Sequence, residues 1–280
     1  MQLRFDRLAS LCLARFRPIR RIQPAIGRFP VLMYHGINSS VGRRHPYFET
    51  NTSPAAFRNQ MQILATDGYQ TLSLDGVIRD SSSCNVAKRP VVITFDDGYA
   101  DFYDEALPTL VEYGFIATVY IITGSTDKQR VIKNGKQFMS WAEVRELPRY
   151  GIHVGSHTVS HGNLRGMSRS RVEDEVRRSK EMLEDKLGAP VESFAYPYAF
   201  PEHDKNYVQH IREYLQMCGY KHAVTTIVGT ASVLTDRYCL PRLPISTFDD
   251  EAFLRAKLKG GYEWLHILQY ARKLISARST

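Results

Sequence analysis

A chain of 280 residues, 43% hydrophobic and 24% charged, is long enough to bury a full core and has the composition of an ordinary globular α/β protein. Its net charge of +8 gathers toward the ends, with Arg4, Arg7, Arg15, Arg17, Arg20, Arg21 and Arg28 in the first segment. No nucleic-acid motif accompanies that charge, no stretch approaches the roughly 20 apolar residues of a membrane span, and Cys12, Cys84, Cys218 and Cys239 show no CxxC or framework spacing.

Phe5, Leu8, Cys12 and Phe16 recur near helical spacing among the arginines. Leu8–Ala14 is apolar but short for a signal-peptide core, and no clean cleavage pattern follows. Residues 1–28 therefore fit an interfacial helix on anionic lipid, a site for a phosphate-bearing substrate, or a basic helix lying on the protein's own surface. The expected location is cytoplasmic, with peripheral contact at the inner face of a membrane through this basic segment; export by an atypical signal stays open.

Val31–His35 reads as a short apolar strand. Ser53-Pro54 gives an N-cap followed by proline at the first helical position, opening a helix through Phe57, Met61 and Leu64 to Gly68. A strand near Tyr69–Ser73 precedes a polar loop over Arg79–Lys88, and Pro90–Phe95 reads as a buried, β-branched strand. Tyr103–Tyr113 predicts a helix ending at Gly114, Phe115–Ile122 a strand, Trp141–Tyr150 a helix closed by Gly151, and Ile152–Gly155 another strand. Ser170-x-x-Glu173 has the pattern of a capping box, for a helix with Val172, Val176, Leu183 and Leu187 inward. Ser193–Tyr196, a helix around Asn206–Cys218 and a strand at Tyr220–Thr225 continue the alternation. Glu263–Ala277 closes the chain as an amphipathic helix bearing Trp264, Ile267, Leu268 and Leu274, expected on the barrel exterior. Such alternation, without internal repeats, predicts a parallel-sheet or barrel α/β domain.

Two motifs carry chemistry. In Thr94-Phe95-Asp96-Asp97-Gly98, adjacent carboxylates end a buried strand, which is costly unless positive charge lies beside them. In Ser156-His157-Thr158-Val159-Ser160-His161, imidazoles at i and i+4 are expected on one face of a helical turn. One carboxylate with two imidazoles makes a three-ligand site for a divalent cation, and the second carboxylate is free to act as a base on water. Both motifs follow strand-like runs, and groups at the C-terminal ends of parallel strands converge on one face.

Together with Phe194-Ala195-Tyr196-Pro197-Tyr198, these motifs resemble the polysaccharide deacetylase (NodB-homology, carbohydrate esterase 4) family over roughly residues 29–250. Leu32-Met33-Tyr34-His35 near the N-terminus resembles the permuted, poly-N-acetylglucosamine deacetylase-like branch. The resemblance implies a distorted (β/α) barrel, a divalent metal (usually zinc) and removal of N-acetyl groups from sugars. By position, Asp96 is the expected base, Asp97, His157 and His161 the metal ligands, His35 the acid, and the Tyr198 backbone N–H an oxyanion donor. The implied organisation is a basic segment (1–28), a deacetylase domain (29–255) and a C-terminal amphipathic helix (256–280), acting on an N-acetylated oligo- or polysaccharide or a lipid-linked precursor, with no nucleic-acid partner.

The sequence departs from the family pattern in three places, one being the absence after residue 250 of the usual C-terminal Leu-x-x-His, a pattern found instead at Leu32-Met33-Tyr34-His35. Ala195 stands where many members carry an Arg that orients the base. The late Asp-containing motif lacks a clear match, with Asp236 and Arg242 as nearby candidates. Tyr196 and Trp141 are candidates for sugar stacking or for core. His153 is expected to face away from the site, and His45, His203, His210, His222 and His266 carry no motif. An O-deacetylase or deformylase on the same metal site, a catalytically inactive carbohydrate-binding protein on the same fold, and phosphoryl transfer through an aspartyl nucleophile are the rival readings.

Overall fold

β-Branched runs make the strands and capped amphipathic runs make the helices, in the order the alternation predicts. The protein is seen in a computed structural model that describes residues 4–16, 27–40, 49–80, 89–126 and 136–278. Arg17, Arg20, Arg21, His45, Cys84 and most of the Arg79–Lys88 loop lie outside the described residues.

The first half comprises α1 (Phe5–Phe16), β1 (Arg28–Phe29), β2 (Val31–Tyr34), α2 (Pro54–Thr66), β3 (Gln70–Thr71), α3 (Leu74–Asp80) and β4 (Pro90–Phe95). A π-helical turn (Phe102–Ala106) leads into α4 (Leu107–Tyr113), followed by β5 (Thr118–Ile121), α5 (Trp141–Glu146) and β6 (His153–Ser156). Then come α6 (Arg169–Leu187), β7 (Ser193–Ala195), α7 (Lys205–Met217), β8 (His222–Val228), β9 (Ala231–Ser232), β10 (Leu240–Pro244), α8 (Glu251–Leu258) and α9 (Leu265–Arg278). Strands run β2-β10-β8-β7-β6-β5-β4, all pairs parallel, and β2 pairs again with β4, so seven strands close a barrel. This is the distorted (β/α) barrel expected from the sequence.

Strand alternation divides the core in two. Val31, Val92, Tyr120, Ala195, Val224 and Leu240 pack together inside the barrel, while Ile93, Phe95, Val119 and Phe194 pack outward against the helices. Ser53 caps α2 as expected, its hydroxyl accepting from Ala56 N–H, and Phe57, Met61 and Leu64 bury. For α6 the cap is Ser168, two residues before the predicted Ser170, and Ser168 Oγ accepts from Arg171 N–H at 3.4 Å. A capping box does occur, at Ser140 and Glu143 of α5.

Helix α1 lies on the protein's own surface. Its polar Asp6 and Ser10 are buried, with Ser10 Oγ accepting from Trp264 Nε1 at 3.1 Å and Arg7 paired with Asp250 at 2.7 Å, while Phe5 and Leu8 point outward. Trp264 of the stripe seen in the sequence packs against the core, while Ile267, Leu268 and Leu274 of α9 remain exposed. No described helix is long and apolar enough to cross a membrane.

Candidate metal centre and catalytic cup

All motif residues meet at the C-terminal mouth of the barrel. Asp96 and Asp97 follow β4, His157 follows β6, Tyr198 follows β7 and His35 follows β2. Among the described residues, Asp97, Thr158, His161 and Tyr198 are the non-glycine residues with positive φ, at 74°, 66°, 55° and 59°. Left-handed backbone costs roughly 1–2 kcal/mol per residue, so its confinement to this mouth marks turns held by their surroundings for the position of a side chain.

The two histidines converge by a route other than the expected one. Residues 157–161 form a loop rather than a helical turn, and the left-handed Thr158 and His161 bring the rings to 4.9 Å between centroids. Glu175 of α6 holds that loop from beneath: its carboxylate accepts from Val159 N–H at 3.0 Å, Ser160 N–H at 2.8 Å and Ser160 Oγ at 2.8 Å. From the other side, Thr123 N–H donates to Thr158 O and Gly124 N–H to Val159 O.

Asp97 Oδ1 lies 3.5 Å from His157 Nε2 and 3.3 Å from His161 Nε2, and the three ligand atoms fall within 4.8 Å of one another. Ala195 O lies 2.8 Å from His157 Nδ1; a carbonyl only accepts, so Nδ1 carries the proton and Nε2 faces the site. Burial opposes charge on Asp97, but the adjacent His157, then His35 and His161, hold it far below the usual carboxylate range. Burial, joined by the charge of His157, pushes His161 down to about 4, which leaves a neutral imidazole with a free lone pair. Asp97 Oδ1 is buried and has no hydrogen-bond partner. An orphaned anionic oxygen facing two imidazole nitrogens fits a divalent cation, held by one oxygen and two nitrogens.

Asp96 stands beside this triad in a different environment. Arg242, fully buried on β10, grips it with both prongs of the guanidinium, Nη1 to Oδ1 at 2.6 Å and Nη2 to Oδ2 at 2.7 Å. The same guanidinium donates Nε to Thr225 O at 2.9 Å and Nη1 to Thr94 Oγ1 at 3.1 Å, and Thr94 Oγ1 donates onward to Leu32 O at 2.7 Å. Burial would raise the Asp96 carboxyl, but the charge of Arg242, then of His157, outweighs it and keeps the group ionised below its ordinary value. Arg242 thus supplies the cation absent at Ala195. Sequence reasoning placed it only beside a missing motif; the usable signal was an arginine inside Leu240-Pro241-Arg242-Leu243-Pro244, a run that otherwise reads as buried strand.

His35 Nε2 lies 3.8 Å from Asp96 Oδ2. Burial lowers its pKa, against the pull of Asp96 and Asp97. Tyr198 is 55% exposed, its ring 4.8 Å from that of His161. Its carbonyl accepts from Thr226 Oγ1 at 2.8 Å, and its N–H has no acceptor among the described residues. Lys136 and Tyr99, unremarked in the sequence, close one side of the cup, with Nζ 4.1 Å over the ring; burial and then Asp97 raise the Tyr99 phenol.

Other candidates lie elsewhere. Trp141 and Tyr196 are buried core, Tyr196 donating its hydroxyl to Tyr238 O, so the sugar-stacking option falls to the exposed Tyr198. Asp236 pairs with Arg212, away from the cup. His153 and His222 line a separate cavity of about 490 Å³ at the opposite end of the barrel.

Comparison with known proteins decides the family. Residues 84–223 match the polysaccharide deacetylase family, and the chain is 30% identical over 229 residues to YxkH of Bacillus subtilis (strain 168), assigned to the polysaccharide deacetylases, covering 81% of this chain and 74% of that one. The chain belongs to the polysaccharide deacetylase family. Among solved structures it is similar to the Streptococcus pyogenes deacetylase PplD in complex with acetate, with a TM-score of 0.71, 28% identity, and coverage of 82% of this chain and 98% of that one. It is also 30% identical over 142 residues to the Escherichia coli (strain K12) poly-β-1,6-N-acetyl-D-glucosamine N-deacetylase, 46% of this chain but 20% of that longer protein. The N-terminal His35 beside Asp96 agrees with the permuted branch.

Proposed function

We propose that this polysaccharide deacetylase family member is a divalent-metal-dependent hydrolase that removes N-acetyl groups from an N-acetylated sugar. The observation that supports it best is the pairing of two unlike carboxylates: Asp97, orphaned between two imidazoles, and Asp96, clamped by a buried arginine. Asp97, His157 and His161 would hold the cation, zinc on the nature of the donor set. When bound, such a cation polarises an amide carbonyl and makes water more acidic.

The residues around it divide the remaining work. Asp96 accepts the proton of the attacking water, and removal of such a base lowers rates by about 10²–10⁴. The Tyr198 N–H, left without an acceptor, donates to the carbonyl oxygen as it gains charge, worth about 3 kcal/mol for one donor of this kind. Protonated His35 delivers a proton to the nitrogen as the C–N bond breaks, so that a neutral amine leaves rather than an amide anion. The products are acetate and a free amino sugar. The basic N-terminal segment, residues 1–28, is proposed to keep the enzyme at a membrane surface on the cytoplasmic side.

The test is acetate release from N-acetylglucosamine oligomers by zinc-reconstituted protein, beside Asp96→Asn and His157→Ala. Release should vanish in both, with zinc retained by Asp96→Asn and lost by His157→Ala. Release of formate, or of acetate only from O-acetylated sugars, would move the reaction to the deformylase or O-deacetylase alternative. Zinc binding without hydrolysis of any acylated sugar would leave a carbohydrate-binding protein.

A further inference from the structure

A groove of about 1150 Å³ opens directly beside the cup, between α9 and the chain that follows Tyr198. One wall is Trp264, in the turn that enters α9, with Leu268 and Ile275 of α9; the other is Tyr198, Phe200 and Pro201. Tyr198 belongs to both spaces, because its ring also lies 4.8 Å from that of His161. The walls are tied together: Gln269 of α9 accepts from Val228 N–H and donates to Thr226 O, while Thr226 Oγ1 donates to Tyr198 O. The groove is therefore a built extension of the site.

Its lining is mainly apolar with charged groups added, of which Asp6 is paired with Arg4 and Lys273 with Glu202. Arg165 and Arg272 border it and make no ion pair among the described residues, and both ring nitrogens of His203 are buried there without a hydrogen-bond partner. The adjoining surface is apolar too: of thirteen exposed large hydrophobic side chains among the described residues, eight lie on α1 and α9 (Phe5, Leu8, Leu13, Ile267, Leu268, Tyr270, Leu274 and Ile275). The aliphatic Leu268 and Ile275 offer no hydrogen bond to a glycan's hydroxyls and suit a hydrocarbon chain, and the unpaired guanidinium groups and His203 suit a phosphate joining that chain to a sugar.

We infer that the groove binds the phosphate and hydrocarbon tail of a lipid-linked N-acetylated sugar, whose sugar reaches the cup past Tyr198. This rests on the deacetylase reading above, and two readouts separate the two. The first needs no catalysis. Trp264 lines the groove, so its fluorescence is followed in zinc-loaded protein titrated with decyl phosphate below its micelle concentration, beside inorganic phosphate. Saturable binding of decyl phosphate at least about tenfold tighter than that of inorganic phosphate, lost in Leu268→Glu and kept in Leu234→Glu on a distant exposed turn, supports the groove. No binding, equal binding of inorganic phosphate, or indifference to Leu268→Glu overturns it. The second readout compares KM for N-acetylglucosamine 1-phosphate and its decyl phosphodiester. The ester should have a KM at least about tenfold lower in the wild type, and the ratio should collapse toward one in Leu268→Glu. A wild-type ratio near one overturns the inference. Absence of turnover for both, with decyl phosphate still bound, rejects the deacetylase reading while the groove stands.

Discussion

Replacing Arg242 by Met tests how the cup is held together. The guanidinium is fully buried and makes four hydrogen bonds at 2.6, 2.7, 2.9 and 3.1 Å, two of them to the carboxylate of Asp96. Methionine fills much of the volume but leaves Asp96 ionised and buried without its cation. Breaking a buried pair from one side costs about 3–5 kcal/mol, and the orphaned Thr225 carbonyl belongs to that loss. The pH dependence has a defined sign. In the wild type the folded Asp96 pKa is lowered, so its pairing contributes stability that is present at neutral pH and lost as pH falls through the folded value. Without Arg242, burial dominates and the pKa rises above the unfolded value. The variant's deficit should then be largest at pH 7 and shrink toward pH 4. Urea unfolding at both pH values measures it. Asp96→Asn added to Arg242→Met should recover most of the stability and none of the activity. Arg242→Met alone should lower kcat by about 10²–10⁴ while zinc stays bound to Asp97, His157 and His161. A loss under about 1 kcal/mol at pH 7, with kcat unchanged, would refute the account of Arg242 as the cation that orients Asp96.

Three further perturbations address the supports of the site and the far end of the barrel. Glu175→Gln weakens the clamp on the His157–His161 loop, and calorimetric zinc titration should show affinity reduced about 10–100-fold; unchanged affinity would mean the loop holds its shape alone. A Cβ at Gly124 would sit 2.5 Å from Val159 O, so Gly124→Ala must displace the same loop, with a similar loss of zinc affinity and a lower melting temperature. His222 is buried beside Ser193 Oγ at 3.1 Å, and burial pushes its imidazole down to about 4. Because the unfolded imidazole protonates first as pH falls, stability should drop by about 2–3 kcal/mol between pH 6.5 and 4.5 on this account. His222→Asn should flatten that slope in denaturant unfolding; an unaltered slope would contradict the assignment.

The barrel was legible because its cues are local. β-Branched runs, Ser53-Pro54 and the closing glycines act over a few residues, and their alternation admits few topologies. The two chemical motifs were legible because each carries its partners within five residues. What escaped notice depends on contacts distant in sequence. Arg242 meets Asp96 across 146 positions, and Glu175 reaches back 15 and 16 positions to the histidine loop. No spacing announces either. The convergence of His157 and His161 was foreseen on a helical turn, but the loop achieves it through left-handed Thr158 and His161, a backbone state that residue type does not advertise. Trp141 and Tyr196 were equally ambiguous, since an aromatic ring packs as readily in a core as against a sugar.

The position of His35 near the start of the chain has a simple physical basis. In a closed barrel no strand is first, because neighbours are set by pairing and not by chain order. Strand β2 pairs with β4 in a register that places Met33 opposite Thr94 and Tyr34 opposite Phe95. One step further along both strands, His35 falls opposite Asp96, and Asp96 N–H donates to Tyr34 O at 3.0 Å. On its other side β2 pairs with β10, Leu32 opposite Leu243, so the strand carrying Arg242 is the next neighbour. The proposed acid, the base and its cation therefore stand on three consecutive strands, although two of them come from opposite ends of the sequence. What the chemistry requires is that β10, β2 and β4 be adjacent, and barrel closure provides this wherever the chain begins. Moving the histidine from a late segment to the first barrel strand changes the order of motifs while leaving a group that can deliver a proton beside the base.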